Sequence, residues 1–221
     1  QTYNKKISVE NDDIYDLASI TKILVSLPLI IREIELKSLT FDSSLSSFFP
    51  KINLFEKSNI KLKEMLSHYA RLTPWIPFYK ETLDSVTNMQ LDSYYSNKKT
   101  SDFNVEVREG LYMQLWDDII FDKIIESELL ESKEYKYSDL PYYLIKKHLE
   151  DKYGKSLDKL IRDYIFSKNG MLSLNFNPYK TIDLNKIVPS EIDDYFRLGE
   201  LRGYVHDMGA AMQGGIGGHA G

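Results

Sequence analysis

The chain has 221 residues, with 28 Lys and Arg against 33 Asp and Glu, so its formal net charge is −5. This length suits one domain or a tight pair of subdomains, and contents of 43% hydrophobic and 13% aromatic residues exclude a disordered chain. The mildly acidic balance, with no block of like charge, argues against nucleic acid as a partner. The absence of cysteine excludes disulfides, thiolate catalysis and cysteine-ligated metal sites. No apolar stretch approaches the roughly 20 residues of a transmembrane helix.

The first predicted element is a short strand over Gln1–Val9, where apolar and polar residues alternate weakly. From Ser19 onward, apolar residues recur at spacings of three and four, which predicts a long and largely buried helix. These residues are Ile20, Ile23, Leu24, Leu27, Ile31 and Ile34. Pro28 should kink this helix without ending it. Phe41–Pro50 is predicted to be a loop with one short helical turn.

The rest of the chain is predicted to be mostly helical, with an irregular aromatic loop over Leu72–Phe78 and an extended segment over Phe103–Met113. The predicted helices are Lys61–His68, Tyr79–Ser93, Trp116–Leu129, Leu140–Lys152 and Leu157–Phe166. Ser138 or Asp139 is the expected N-cap of the fourth helix, and Ser156 is that of the fifth. The fold class is therefore α+β, mostly α-helical, with two or three short strands.

Glycines are concentrated at the end of the chain, where eight of the 11 lie between Gly199 and Gly221. Such clusters usually form turns or close backbone approaches inside a fold. We therefore expect the chain to end within a fold rather than at the end of a finished domain.

Neither a metal site nor a nucleotide site is predicted. The four histidines (His68, His148, His206 and His219) have no short ligand spacing, and no H-E-x-x-H or calcium-loop pattern occurs. There is no Walker loop, and no visible helix follows the glycines of residues 214–218. We expect no metal and no cofactor.

The remaining candidate for chemistry is a serine nucleophile with a lysine one helical turn later, S-x-x-K. A serine in the first turn of a helix gains from the local positive potential as its oxygen becomes negative. A lysine three residues later lies on the same face and, when desolvated, can accept the serine proton. The four matches are Ser19–Lys22, Ser58–Lys61, Ser96–Lys99 and Ser156–Lys159.

Only the Ser19–Lys22 pair opens a long apolar helix, which would bury the lysine stem. The alternative is that Ser19 is an ordinary N-cap and Lys22 a solvated charge. A second motif, Tyr-Ser-Asp at residues 137–139, precedes another apolar helix, and its alternative is a helix cap after a packed tyrosine. A rival, Tyr-Ser-Asn at residues 95–97, fits a Y-S-N pattern better by letter but leads into a polar run.

Four stretches, in order, resemble the serine β-lactamase and penicillin-binding-protein superfamily, in particular its class C-like branch of D-alanyl-D-alanine carboxypeptidases and esterases. Residues 15–22 resemble the nucleophile segment. Residues 60–75 resemble the segment I-x-x-L-L-x-H-x-x-G-L, with Arg71 where glycine is usual. Residues 137–144 resemble the motif Y-S-D/N-L-G-F. Residues 214–221 resemble the loop G-G-x-x-G-H-A-G of a subgroup, some of whose members are fused to a family 3 glycoside hydrolase.

The resemblance implies an α+β fold of the β-lactamase/transpeptidase type and catalysis through an acyl-enzyme. Ser19 would be the acylated nucleophile, Lys22 the base or its partner, and Tyr137 the proton relay to the leaving group. Asp139 and His219 would contact the substrate. Asp139 stands where the family often has asparagine, and an ionised aspartate only accepts hydrogen bonds. Recognition of a substrate amide must therefore differ, or Asp139 must be protonated.

The third motif of the superfamily, K-T-G or H-T-G, does not occur. Residues 219–221 (His-Ala-Gly) look similar to it, but we interpret them as the earlier glycine loop. We therefore expect a single domain over residues 1–221, truncated at both ends, with an incomplete sheet. Such a fragment should be a weak catalyst, and it should associate with another chain or copy through exposed apolar residues such as Ile23 and Leu27.

The favoured function is thus a serine acyl hydrolase or transferase acting on a peptidoglycan-related amide or an ester. By the resemblance, the location is extracytoplasmic, either periplasmic or secreted. The alternative is a non-catalytic relative that binds peptidoglycan or a protein partner, and a third interpretation is a helical interaction module with coincidental motifs. His206 and Asp207, beside the glycine loop, either line the active site or stabilise a turn.

Overall fold

The computed structural model describes residues 7–53 and 55–221. The chain divides into two units, each assembled from stretches that are distant in the sequence. Unit 1 comprises Gln1–Thr21, Pro77–Trp116 and Leu172–Gly221, and unit 2 comprises Lys22–Ile76 and Asp117–Met171. None of the helices in the described residues is both long enough and apolar enough to cross a membrane.

The long helix predicted from Ser19 is present as three consecutive types of helical turn. A 3-10 turn over Ala18–Ile20 ends the first stretch of unit 1, and unit 2 begins with a π-helical turn over Lys22–Ser26. Helix α1 follows over Leu27–Glu35. Pro28 lies in the first turn of α1, directly after the π turn, so the change of helix type falls where proline cannot donate a helical hydrogen bond. The predicted kink within one helix is therefore replaced by a change of helix type.

The predicted buried face of this helical run is wrong in part. Ile20, Ile23 and Ile31 are 49%, 60% and 45% exposed, respectively. The buried apolar residues are instead Val25, Leu29 and Ile30. A π turn holds more residues than an α turn, so it shifts the following residues around the helix axis and breaks a regular spacing of three and four. The expected exposure is confirmed for Ile23, but it is wrong for Leu27, which is half-buried in the helical run.

The described residues of unit 2 form five further α-helices and several shorter helical turns. Its remaining α-helices are α2 (Leu45–Phe48), α3 (Leu62–Leu66), α4 (Asp117–Glu126), α5 (Leu140–Tyr153) and α6 (Leu157–Ile161), and a π turn (Arg162–Phe166) continues α6. Shorter 3-10 turns are Pro50–Ile52, Glu56–Asn59 and Ser167–Asn169. The four helices predicted in these stretches are confirmed, with ends that shift by a few residues.

Two predicted N-caps have the expected position but not the expected hydrogen bond. Asp139 and Ser156 precede α5 and α6, yet neither side chain caps its helix. The Ser138 hydroxyl accepts a hydrogen bond from the first amide of α5 at 3.2 Å, and the Glu150 carboxylate accepts one from the first amide of α6 at 2.7 Å. The Asp139 carboxylate is consequently available for another interaction.

Helix α5 lies at the centre of unit 2, where it packs against the π turn, α4 and α6. Its apolar side chains form much of the core. Fully buried core residues include Ile30, Leu45, Leu62, Met65, Ile120, Ile124, Leu140, Leu144, Ile145, Leu149, Leu157 and Leu160. Because the π turn begins at Lys22, this packing brings Lys22 against the start of α5.

The part of unit 1 that the structure describes forms two small antiparallel sheets. The first has the order β1–β3–β2, with β1 over Tyr95–Ser96, β2 over Val105–Arg108 and β3 over Leu111–Met113. The second pairs β4 (Glu191–Asp193) with β5 (Gly199–Leu201). The segment predicted to be extended is thus a hairpin, which turns at a glycine with φ of 68°. The described residues hold five short strands, where the sequence predicts two or three.

Two predicted elements in unit 1 are absent or outside the described residues. In place of the helix predicted over Tyr79–Ser93 there is only a 3-10 turn over Phe78–Thr82. The Asp84 carboxylate accepts hydrogen bonds from two following amides, at 3.0 and 2.7 Å, and such local bonds compete with a helix. Of the strand predicted over Gln1–Val9, residues 1–6 lie outside the described residues and residues 7–9 form no strand.

The glycine loop follows a short helix that the sequence analysis did not predict, α7 over Met208–Met212. Asp207 is its N-cap and accepts a hydrogen bond from the Ala210 amide at 2.7 Å. Gly215 has φ of 73°, and a Cβ atom there would lie 2.1 Å from an Asn177 side-chain oxygen. The glycines therefore serve turns and close approaches, as predicted.

Candidate active site

The predicted site residues are divided between the two units. Lys22, Tyr137 and Asp139 belong to unit 2, whereas Ser19 and His219 belong to unit 1. The structure brings the three residues of unit 2 together.

Lys22 and Asp139 form an ion pair. The Lys22 Nζ lies 2.6 Å from Oδ1 of Asp139, and the two side chains are 4% and 24% exposed. A buried ammonium group is costly unless it has a charged or hydrogen-bonded partner. Asp139 supplies that partner, so Lys22 is not the solvated charge of the alternative interpretation.

Two tyrosine rings lie beside the Lys22 ammonium. Its nitrogen is 4.9 Å from the centroid of the Tyr137 ring and 5.4 Å from that of Tyr142, distances at which a cation is attracted to an aromatic ring. Burial, with smaller contributions from Tyr137 and Asp139, raises the pKa of Tyr142 to about 12. Tyr137 is 42% exposed. Tyr137 is therefore the solvent-accessible phenol of this cluster, and Tyr142 is a buried, protonated one.

His68 holds the Tyr137 segment in place. Its Nδ1 accepts a hydrogen bond from the Ser138 amide at 3.2 Å, and its ring centroid lies 4.5 Å from that of Tyr137. Burial, together with the charge of Lys22, lowers the pKa of His68. The imidazole is therefore neutral at neutral pH, which leaves Nδ1 able to accept this bond.

The loop at residues 73–74, which follows His68 in the chain, supplies two main-chain acceptors to residues 138–139. The Ser138 hydroxyl donates to the Thr73 carbonyl at 2.6 Å, and the Asp139 amide donates to the Pro74 carbonyl at 2.9 Å. Arg71, nearby in the chain, has φ of 58°, in the left-handed region that favours glycine. This conformation explains why glycine is usual at this position of the motif. The stretches 60–75 and 137–144, which resemble two family motifs, are thus joined by hydrogen bonds.

Ser19 lies on the 3-10 turn at the end of the first stretch of unit 1 and is exposed. The residue before it, Ala18, has φ of 48°, which is uncommon for a residue other than glycine. The Ala18 amide donates to Oδ1 of Asp16 at 2.7 Å. The predicted place of Ser19, in the first helical turn, is confirmed.

His206 and Asp207 pair with different partners in unit 1. The His206 Nδ1 lies 2.9 Å from Oδ2 of Asp16, and the His219 Nε2 lies 2.8 Å from Oδ1 of Asp207. The hydrogen bond from Asp16 raises the pKa of His206, although burial opposes this. Burial would raise the pKa of Asp207, but the charge and hydrogen bond of His219 outweigh it and lower that pKa.

His219 is 1% exposed. Its bond to Asp207, which also caps α7, favours a structural role over the predicted contact with substrate. Asp207 likewise fits the turn-stabilising alternative.

The rival motif at residues 95–97 has a separate role in the core of unit 1. Tyr95 is 6% exposed, its hydroxyl is hydrogen-bonded to that of Thr82, and burial raises its pKa. Its ring contacts Phe196, with 6.2 Å between centroids. Burial of this phenol favours Tyr137 over Tyr95 as the accessible tyrosine.

Two residues with clear roles in these clusters, Asp16 and His68, were not singled out from the sequence. Both lie inside stretches that resemble family motifs, and this position is the feature of the sequence that could have indicated their roles. Within residues 7–53 and 55–221, no group of three His, Asp or Glu side chains could hold a metal ion.

A family model described as Beta-lactamase matches residues 2–186. A comparison with curated proteins gives no match. Three solved structures illustrate the similarity of fold. A penicillin-binding protein from Bacillus halodurans has a TM-score of 0.62 at 15% identity, over 100% of this chain and 59% of that one. A beta-lactamase/D-alanine carboxypeptidase from Yersinia pestis has a TM-score of 0.59 at 17% identity, over 97% and 52%.

A D-amino acid amidase from Ochrobactrum anthropi SV3 has a TM-score of 0.57 at 15% identity, over 96% of this chain and 52% of that one. The chain thus spans between about half and three fifths of the length of these three proteins. At such low identity, the likeness concerns the fold alone.

Proposed function

The chain belongs to the beta-lactamase family and has its α+β fold, and from this premise we propose that it is a serine acyl hydrolase or transferase with Ser19 as nucleophile. The observation that carries the proposal is the buried Lys22, which pairs with Asp139 at 2.6 Å and lies beside the accessible Tyr137. Ser19 precedes Lys22 by three positions in the chain. Activation of a serine hydroxyl needs a neighbouring base, and Lys22 with the accessible Tyr137 supplies the candidate groups.

In the proposed acylation, the Ser19 oxygen attacks the carbonyl carbon of the substrate, and a C–O bond forms. The hydroxyl proton passes to the phenolate oxygen of Tyr137, and the adjacent Lys22 ammonium, paired with Asp139, stabilises the negative charge of that oxygen. Collapse of the tetrahedral intermediate breaks the bond between the carbonyl carbon and the leaving group, which takes that proton. The product is an ester of Ser19. Asp139 attracts the Lys22 ammonium, 2.6 Å away, and so fixes its position.

In the proposed deacylation, a water molecule attacks the Ser19 ester and gives its proton to the phenolate oxygen of Tyr137. The bond between the carbonyl carbon and the serine oxygen then breaks, Ser19 recovers a proton, and a carboxylic acid is released. A transferase would use an amine or alcohol acceptor in place of water.

The proposed substrate class is a peptidoglycan-related amide or an ester. Its basis is the family together with the printed descriptions of the structural neighbours, which include a carboxypeptidase and an amidase. The proposed location is extracytoplasmic, since a peptidoglycan-related substrate lies there. A fusion to a glycoside hydrolase and self-association stay predictions.

A fluorophosphonate probe tests the nucleophile, because it reacts covalently with an activated serine. We expect peptide mapping by mass spectrometry to place the adduct on Ser19, and Ser19→Ala to abolish labelling. Ser156→Ala is the matched control, since Ser156 begins another S-x-x-K match but precedes a core helix. Labelling that survives Ser19→Ala, or that Ser156→Ala removes, would contradict the proposal.

The same probe tests the base and the relay. Lys22→Met keeps an apolar stem and should slow labelling by about 10²–10⁴-fold, the usual range for general-base catalysis. Tyr137→Phe should also slow it, whereas Tyr95→Phe should leave the rate unchanged while lowering stability. If Tyr95→Phe slowed labelling and Tyr137→Phe did not, the relay would be the rival tyrosine.

A binding module without catalysis is the second candidate. The observation that favours it is the ion pair itself. The Asp139 carboxylate stabilises the Lys22 ammonium more than a neutral asparagine would, and an ammonium cannot accept the Ser19 proton. This candidate predicts that the folded chain is not labelled at Ser19 yet sediments with insoluble peptidoglycan. Labelling at Ser19 by the fluorophosphonate would exclude it.

A further inference from the structure

Both oxygens of the Asp16 carboxylate are used to hold main-chain groups. Oδ1 accepts the Ala18 amide at 2.7 Å. Oδ2 accepts the His206 amide at 2.8 Å and lies 2.9 Å from the Nδ1 of the same residue. The Asp16 side chain is 13% exposed. One carboxylate therefore ties the segment immediately before Ser19 to a second, distant segment of unit 1.

The backbone that Asp16 holds has an unfavourable conformation. Ala18 has φ of 48°, in a region that residues other than glycine rarely adopt. Such a conformation persists only where the surrounding structure fixes it. The hydrogen bond from the Ala18 amide to Asp16 is a contact of this kind, and it acts one residue before Ser19.

The His206 side of this contact is anchored in the core of unit 1. The Arg197 guanidinium donates to the carbonyl of Val205 and to that of His206, both at 2.6 Å, and it pairs with Asp193 at 2.7 Å. The side chains of Arg197 and Asp193 are completely buried. The main chain at His206 is thus fixed by a buried ion pair, and Asp16 transfers that constraint to Ala18.

We propose that Asp16 is a positioning residue for Ser19, which it places by fixing the backbone at Ala18, and that His206 aligns the Asp16 carboxylate. The inference rests on the proposed function, because it concerns the same nucleophile. A positioning error of about 1 Å at a reacting atom costs on the order of 10² in rate. Loss of the Asp16 contacts should therefore slow reaction at Ser19 without removing any group that touches the substrate.

The main test is Asp16→Asn in the full 221-residue chain. Asparagine is similar in size to aspartate, but only one of its two terminal atoms is an oxygen. When that oxygen accepts the Ala18 amide, the asparagine nitrogen faces the main-chain and ring N–H groups of His206 and cannot accept from them, so the bonds to His206 are lost. We expect fluorophosphonate labelling of Ser19 to slow by about 10- to 100-fold. His206→Gln keeps the main-chain amide but loses the ring contact, and it should slow labelling less.

Asp84→Asn is the matched control. Asp84 is also in unit 1, and its carboxylate also accepts two main-chain amides in a turn. This variant should label at the wild-type rate. Circular dichroism establishes that each variant is folded before its rate is compared.

A pH profile separates positioning from a general loss of stability. The charged groups around His206 are Asp16, Asp207, Glu191 and Arg197. The ion pair with Asp16 is strongest while His206 is protonated. The ratio of the wild-type rate to the Asp16→Asn rate should therefore be largest at a pH where His206 is protonated, and it should fall as the pH rises through the raised pKa of His206.

Amide hydrogen exchange gives a readout that does not depend on catalysis. In Asp16→Asn, the Ala18 amide should exchange faster than in the wild type, while amides of the core strands keep their protection. Unchanged exchange at Ala18 together with an unchanged labelling rate would overturn the inference, as would an equal loss of rate in Asp84→Asn. If the wild type is not labelled at Ser19, the proposed function fails, and exchange at Ala18 still decides whether Asp16 fixes this backbone.

Discussion

Replacing Asp139 by asparagine probes the ion pair at the centre of the candidate site. The variant keeps an oxygen that can accept from Lys22 but removes the negative charge 2.6 Å from its nitrogen. Lys22 is 4% exposed and therefore has little access to water as a substitute partner. We expect Asp139→Asn to lower the free energy of unfolding and, because the amide is a weaker acceptor for the Lys22 N–H groups, to speed labelling of Ser19.

The size of the stability effect follows from what Lys22 loses and what it keeps. Removal of one member of a buried ion pair costs about 3–5 kcal/mol, whereas a hydrogen bond to a charged group, which the asparagine oxygen can still make with the Lys22 ammonium, contributes about 1.5–3 kcal/mol. Asp139→Asn should therefore cost about 1–1.5 kcal/mol, or a fall in Tm of about 2–6 °C for a chain of this size. Asp139→Ala leaves a buried ammonium without its partner and should cost about 3 kcal/mol, at the lower end of the range because Asp139 itself is 24% exposed.

The assay is urea denaturation of each variant, followed by circular dichroism, with Asp118→Asn as the matched control. Asp118 also pairs with a lysine of α5, at 3.2 Å, but its side chain is 86% exposed, so its loss should cost less than about 0.5 kcal/mol. The reasoning fails if Asp139→Asn is no more destabilising than Asp118→Asn. It also fails if labelling of Ser19 becomes slower in Asp139→Asn.

Two further predictions concern packing and pH. Ile30→Ala should lower the free energy of unfolding by about 2–5 kcal/mol, because Ile30 is 0% exposed. Ile23 is 60% exposed, so Ile23→Ala should change it by less than about 0.5 kcal/mol. Equal urea midpoints for the two variants would contradict the assignment of the buried and exposed faces. The hydrogen bond with Asp16 raises the pKa of His206 in the folded state. The stability that the protonated His206 gains from Asp16 is therefore complete below about pH 6.5, the ordinary histidine pKa, and is lost as the pH rises through the folded-state pKa. Urea midpoints measured against pH should show this decline in the wild type and a flatter profile in Asp16→Asn, and identical profiles would refute it.

The amino-acid sequence by itself determined the helices whose signals are local. The apolar spacing of Trp116–Leu129 and Leu140–Lys152 predicted α4 and α5, because an amphipathic helix is encoded by neighbours within a few turns. The four ordered motifs were also sufficient to predict the family and the fold type. The sequence did not predict the ion-pair partner of Lys22. Asp139 was expected to contact substrate, and the ion pair depends on the packing of α5 against the π turn.

Tertiary structure alone decided which faces and which polar groups met. The exposed face of the first helical run depends on its π turn, which no periodic pattern in the sequence announced. The contact between Asp16 and His206 joins segments that are 190 positions apart in the sequence. The packing of unit 1 likewise buries Tyr95, whose hydroxyl is hydrogen-bonded to that of Thr82. Contacts of this kind are set by the burial of whole elements against one another, so short-range spacing carries no information about them.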